Sequence, residues 1–284
     1  MAERTVEGLL HGDHRSRRIG ASVEFADYKE YAPGDNLRDL DWRVLARSDR
    51  HMIKRYEVET ELRCTVVLDA SGDLGTGTGG PYGLPPLEGS KFGYALTLTA
   101  CLLWFLHKHQ EPVGLAVVAG RGREGTRYFP PRGGRSHQAR LFGELASLAP
   151  GGRADLRQAL GVVAPRLRRR SLVLLVSDFM EEPSRWGPAL AALSKRRTEL
   201  RAFHLLDRRE LELDFEQPAL FFSPEDGLRE EVDPVAQLEE FGRVRDEWML
   251  EVKRALQSHR GRYQACWTDQ PLAPVLRRVI GAVA

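Results

Sequence analysis

Residues 64–71 read CTVVLDAS, a β-branched apolar run that ends in Asp69. A continuous apolar run with no polar alternation is the pattern of a parallel strand buried on both faces. Working outward, a glycine-rich loop occupies residues 72–89, and KFGYALTLTACLLWFLHKH (91–109) follows as a long apolar helix. VGLAVVA (113–119) predicts a second strand, residues 126–130 a short third, and residues 136–148 and 154–167 two helices. SLVLLVSDF (171–179) is a further buried strand, ending at Asp178. A helix is predicted from 183 to 197, and LRAFHLLD (200–207) is the next strand. Beyond it come short strand-like pieces at 219–223 and 228–232, a long amphipathic helix over 235–258, a last strand, RYQACWTD (262–269), and a closing helix over 271–282. Strands alternating with helices of this length predict an α/β fold with a right-handed, doubly wound, mostly parallel sheet.

Residues before 62 have a different character. They are polar and turn-rich, with a candidate strand over 23–31 and a strong turn signal at Pro33-Gly34-Asp35. This predicts an N-terminal strand/turn extension, residues 1–61, packed on a main domain of residues 62–284.

The chain has 284 residues, is 42% hydrophobic and 29% charged, and carries a formal net charge of +2, which is the composition of an ordinary soluble domain. The charge is unevenly placed. Residues 121–170 hold twelve arginines against Glu124, Glu144 and Asp155, whereas residues 207–251 hold fifteen acids against five arginines. Surfaces of opposite sign offered to a partner and a solvated surface with no partner both account for this. Cys64, Cys101 and Cys266 lie far apart in apolar segments without metal-ligand spacing, and read as reduced core thiols. The N-terminus shows no apolar signal core, and the longest apolar run, residues 94–106, is shorter than the roughly 20 residues that span a bilayer. The expectation is a cytoplasmic protein without membrane insertion.

Two strands predicted to be neighbours end in aspartate, Asp69 and Asp178. Ligands bind at the carboxyl ends of parallel strands, near the point where strand order reverses. Asp69, Ser71 and Asp73 alternate along one loop, and their oxygens suit a hard cation such as Mg²⁺ or Mn²⁺. Strand-end Asp and Ser also cap turns and helix N-termini, and the residues alone leave both readings open. Residues 89–91 read Gly-Ser-Lys rather than the GK[ST] of a phosphate loop, and Ser71 has no G-x-S-x-G elbow. The arginine-rich middle lacks interleaved aromatics and any nucleic-acid module, so no nucleic-acid partner is expected.

The pair Asp69-x-Ser71 and the late Ser177-Asp178-Phe179 resemble the metal-ion-dependent adhesion site of von Willebrand factor A domains. YAPGDNLRDLDWRVLAR (31–47) resembles the signature of the bacterial family called domain of unknown function fifty-eight. That likeness continues through LDASGD, Lys91, VGLAVVA, SDF and TDQPL (268–272). The resemblance implies a von Willebrand factor A-like fold, a partnership with MoxR-type AAA+ ATPases, and no established catalysis. It also implies a degenerate metal site of Asp69, Ser71, Asp73 and Asp178. Asp73 stands where the pattern has a second serine, and the threonine loop reads GGRADL (151–156), so that Ala154 offers no oxygen and Arg153 adds a positive charge. Either Asp73 compensates as a third carboxylate or Arg153 replaces the cation.

In the N-terminal block, Asp35, Arg38, Asp41 and Arg47 surround Trp42. These residues predict a structural clasp with Trp42 as its buried anchor; the competing reading is a recognition surface, since Trp and Arg are favoured hot-spot residues. The functional expectation is a non-enzymatic, protein-binding adaptor working with a MoxR-type ATPase and a protein client. The alternative is a metal-dependent hydrolase or phosphotransferase built on Asp69, Asp73 and Asp178.

Overall fold

The computed structural model describes residues 22–33, 35, 40–59, 62–75, 90–120, 122, 125–212, 219–222, 228–232 and 234–283. The expected Arg38 and most of the glycine-rich loop, residues 76–89, lie outside the described residues.

A six-stranded sheet forms the centre. Its strands are β3 (Cys64–Asp69), β4 (Val113–Val118), β5 (Thr126–Arg132), β6 (Leu172–Ser177), β7 (Glu199–Leu206) and β10 (Arg262–Trp267). They lie in the order β10-β7-β6-β3-β4-β5, all parallel except β5, which pairs antiparallel with β4 at one side. The chain enters at the middle strand β3, winds outward to β5, then returns to β6 on the other side. This is the doubly wound, mostly parallel α/β fold expected from the alternation of elements.

The continuous apolar runs are explained by burial on both faces. Every residue of β3, β4 and β6 is buried. Successive side chains point to opposite faces. Val66 and Leu68 therefore join a core layer with α2 (Lys91–Lys108), α3 (Arg135–Ala146) and α8 (Leu272–Val283), while Val67 joins Val173 and Leu175 in a second layer. That second layer holds α4 (Leu156–Val163), α5 (Pro183–Lys195) and α7 (Pro234–Ser258), with Trp186 and Phe179 fully buried in it. Gly114 marks the closest strand approach: a Cβ there would lie 2.5 Å from the Phe129 carbonyl oxygen, opposite the register shift of β4 against β5. Pro130 and Pro131 sit in β5, where a strand with no outer neighbour tolerates missing N–H donors.

Cys64, Cys101 and Cys266 are all buried thiols. Burial pushes the Cys101 thiol up to about 11 and the Cys266 thiol up to about 12, so neither ionises near neutrality. Among the described residues, no helix is long and apolar enough to cross a membrane.

The N-terminal segment holds more regular structure than its sequence suggests. β1 (Ser22–Glu30) matches the expected strand, but it pairs antiparallel with an unanticipated β2 (Met52–Glu59), and a short helix α1 (Trp42–Ser48) lies between them. β8 (Ala219–Phe222) and β9 (Arg229–Val232) form another two-stranded sheet, preceded by a one-turn helix α6 (Arg208–Glu212).

Trp42 is not a buried anchor. It is 65% exposed, at the first position of α1. The inward place is taken by Leu40, which bridges to Ile53; both are buried. Asp41, also buried, caps α1 by accepting from the Arg43 and Val44 N–H groups and receives the Tyr28 hydroxyl at 2.8 Å. Asp35 closes the preceding turn, accepting from the Ala32 N–H and from Lys29, and these bonds hold its carboxyl below its ordinary range. Arg47 is exposed in the last turn of α1. Exposure sets the expected stabilities apart. Trp42→Ala changes unfolding free energy by no more than about 0.5 kcal/mol, whereas Trp186→Ala costs about 3–5 kcal/mol. Urea denaturation of the two variants measures both.

Candidate functional site

Strand order reverses between β3 and β6, so a crevice opens at their carboxyl ends. Leu68 stands opposite Val176, which brings Asp69 and Ser177 out together, followed by Asp178. A third segment completes the crevice: the Gly151 N–H donates to the Ala70 carbonyl, and the Gly72 and Gly120 N–H groups donate to the Gly152 and Gly151 carbonyls. Arg153 and Ala154 are thereby set against the strand ends. The resulting cavity is small, about 50 Å³. Its lining includes Asp69, Ser71, Asp73, Arg153, Ser177 and Asp178, with Met180 at 58% exposure. The expected metal-site residues Asp69, Ser71, Asp73 and Asp178 thus share one cavity. The N-terminal residues Asp35, Asp41, Trp42 and Arg47 do not line it.

Hydrogen bonds engage both buried strand-end carboxylates of this crevice. Asp69 Oδ2 accepts the Ser177 hydroxyl at 2.6 Å, and Oδ1 accepts the Ser71 N–H at 2.9 Å. Burial, and next the charge of Asp178, push Asp69 up to about 7, against the pull of its serine hydrogen bonds. Asp178 Oδ2 instead receives the ammonium of Lys91 at 2.8 Å. Lys91 Nζ also lies 2.8 Å from Glu210 Oε2, on α6. The lysine is only 2% exposed, and burial alone would depress its pKa. The two carboxylates outweigh burial and raise it, so the ammonium stays charged.

Local backbone geometry aims Asp178. The next residue, Phe179, has a left-handed φ of 52°, costly for a bulky side chain. Its surroundings hold it there. The Phe179 N–H donates to Ser177 Oγ, its carbonyl accepts from the Trp248 indole at 3.3 Å, and its ring packs 5.4 Å from both Trp186 and His204. His204 is buried against Trp248 and Tyr263, and burial pulls it down to about 4, so the imidazole is neutral. Glu181 continues the loop by accepting the Leu156 N–H at 2.7 Å, at the start of α4.

The metal that the adhesion-site resemblance implies does not suit this donor set. Lys91 already neutralises Asp178, each Asp69 oxygen accepts a serine hydrogen bond, the Ala154 side chain supplies no oxygen, and Arg153 brings positive charge to the same cavity. Among the described residues, no group of three His, Cys, Asp or Glu side chains is placed to hold a metal ion.

Sequence reasoning missed the parts that arrange this chemistry. Glu210 was not singled out, Ser177 was noted only within the Ser177-Asp178-Phe179 likeness, and Lys91 only within the family likeness and the rejected phosphate loop. A signal for Lys91 does exist. It follows the Ser90 cap at the N-terminus of an apolar helix, where the helix dipole opposes a cation, so carboxylates must compensate. A third strand-end aspartate, Asp207, is buried after β7 and accepts the Thr268 hydroxyl at 3.0 Å, which gives the threonine of TDQPL a structural role.

Removing one member of a buried ion pair strands the other. Lys91→Ala is therefore expected to cost about 3–5 kcal/mol. Lys91→Met combined with Asp178→Asn should cost less than the sum of the single changes, with a coupling of about 0.5–3 kcal/mol. A double-mutant cycle in urea reads this, and strict additivity would contradict the pairing.

An uncharacterized protein of Mycobacterium bovis is 29% identical over 280 residues, covering 96% of this chain and 84% of that protein. Among solved structures, the conserved hypothetical protein BatB of Bacteroides thetaiotaomicron superposes over 78% of this chain and 98% of its own, with a TM-score of 0.48 and 12% identity. The SpRpn10 VWA domain covers 76% and 95%, with a TM-score of 0.43 and 10% identity. The model of the family described as "Protein of unknown function DUF58" matches residues 27–266, and the chain belongs to that family.

Proposed function

We propose that this chain is a non-enzymatic, cytoplasmic protein-binding adaptor that engages a MoxR-type AAA+ ATPase through its N-terminal hairpin. The observation that carries the reading is the exposure of Trp42, at 65%, beside Tyr28 at 42% and Tyr31 at 36%. A tryptophan left in water contributes little to its own fold. Large aromatic side chains are the residue types on which binding energy concentrates. Asp41 and Asp35 fix the backbone under this surface, through the α1 cap and the preceding turn, so partner binding need not order it first. The choice of a MoxR-type ATPase comes from the resemblance carried by residues 31–47.

The hydrolase alternative has less support. A hydrolytic site needs a base free to take a proton and a place for the attacked group. Asp178 is engaged by Lys91, and His204 is buried among aromatic rings away from the cavity lining.

Affinity purification of the tagged chain from its native cell, with and without ATP, tests the proposal. A MoxR-type ATPase should co-elute in an ATP-dependent manner, and Trp42→Ala should reduce its recovery at least tenfold without loss of folded protein. Absence of any such ATPase would sink the partner, and undiminished capture by Trp42→Ala would sink the surface.

A further inference from the structure

We propose that the ammonium of Lys91 is the resident cation of the strand-end crevice, and that this site keeps its shape without a divalent metal. The inference is independent of the adaptor reading, because it concerns what holds the crevice together and not what docks elsewhere on the chain.

The argument begins with charge. Asp178 is 3% exposed and lies beside Asp69 at the ends of adjacent strands. Buried carboxylates in such proximity need a positive partner. Two basic side chains are near. Arg153, the candidate named from the sequence, lines the cavity from its exposed side. Lys91 instead reaches Asp178 from within the core, with Nζ 2.8 Å from one Asp178 oxygen and 2.8 Å from Glu210, and it is as buried as the carboxylate it neutralises.

An ammonium and a divalent ion compete for the same negative charge. Lys91 approaches Oδ2 of Asp178, and a second cation on that carboxylate would be repelled by the ammonium. A magnesium ion also demands close to six oxygen ligands. Here each Asp69 oxygen already accepts one hydrogen bond, from Ser177 or Ser71, and position 154 is alanine. Lysine supplies up to three directional hydrogen bonds from a single point charge. Two of them join the end of β6 to α6, and the stem ties both to the N-terminus of α2. The lysine therefore links three elements around the crevice, as a coordinated ion would, but its presence is written into the chain and does not vary with metal supply.

Manganese binding by the intact chain tests this, followed by the electron paramagnetic resonance signal of free Mn²⁺, with melting temperatures in Mg²⁺, in Mn²⁺ and in EDTA. The wild type should leave the Mn²⁺ signal undiminished, with the same melting temperature in all three conditions. Stoichiometric Mn²⁺ uptake by the wild type that Asp178→Asn abolishes would overturn the proposal. Lys91→Ala exposes the opposite arm: with the ammonium gone, Asp178 and Glu210 face each other, and Mn²⁺ should bind and raise the melting temperature. A folded Lys91→Ala protein indifferent to both ions would also overturn the proposal, since the lysine would then occupy no cation's place. If Lys91→Ala does not fold, Lys91→Gln, which removes the charge but keeps an amide donor toward Asp178 and Glu210, is the readout, with the same two outcomes.

Discussion

A charged ammonium withdrawn from water at the start of an apolar helix is a severe constraint, and much of the crevice is arranged around meeting it. Lys91 cannot lose its proton cheaply, because two carboxylates face it. It cannot reach solvent either, because α2 is buried along most of its length from Phe92 to Leu106. The carboxylates must therefore come to the lysine. Parallel pairing of β3 and β6 delivers Asp178 to the right level, and the turn after β7 delivers Glu210. Such a pair adds little net stability over a well-packed apolar alternative, yet it is costly to break from one side. Its effect is to fix where α2 begins relative to two strand ends, which is what a functional crevice requires.

The strain at Phe179 belongs to the same arrangement. A left-handed aromatic residue persists only where its surroundings over-determine it. Here the indole of Trp248, the ring of Trp186, the neutral His204 and the hydroxyl of Ser177 all act on that one residue. The backbone reversal sends Asp178 inward to Lys91 while leaving Met180 largely exposed at the cavity rim.

The central sheet was legible in the sequence because burial on both faces leaves a run with no alternative reading: CTVVLDAS, VGLAVVA and SLVLLVSDF each became a parallel strand close to its expected place. Asp69 and Asp178 were legible for the same reason, since Asp69 ends β3 and Asp178 directly follows β6. The N-terminal hairpin was harder. In β2, MIKRYEVE mixes charges with apolar residues, and its pairing with β1 spans a helix and a turn that local pattern does not connect. Trp42 was misjudged because hydrophobicity alone says nothing of direction. With Leu40 and Ile53 already filling the inner side, the first residue of a capped helix faced water. Lys91 was noticed but not understood, because its partners lie 87 and 119 positions away in sequence and only the sheet topology unites them.

The contrast between a coordinated ion and a lysine also bears on what kind of surface the crevice can offer. An adhesion-type ion with an open coordination position attracts an oxygen ligand from outside, so its recognition is electrostatic and depends on metal. A buried ammonium engaged by Asp178 and Glu210 offers no such open position, and the more accessible groups of the cavity lining include Arg153, Asp73, Glu181 and Met180. Recognition at this end of the sheet would then rest on shape and mixed polarity, with its geometry set in advance by the chain. The exposed Trp42, Tyr28 and Tyr31 fit the same logic, since they too sit on backbone fixed by a cap, a turn and a strand pairing. A rigid surface loses little entropy on association, so modest contact areas on it yield useful affinity. In both places buried polar groups hold the surface still: Asp41 beneath Trp42, and Lys91, Asp178 and Ser177 beneath the crevice.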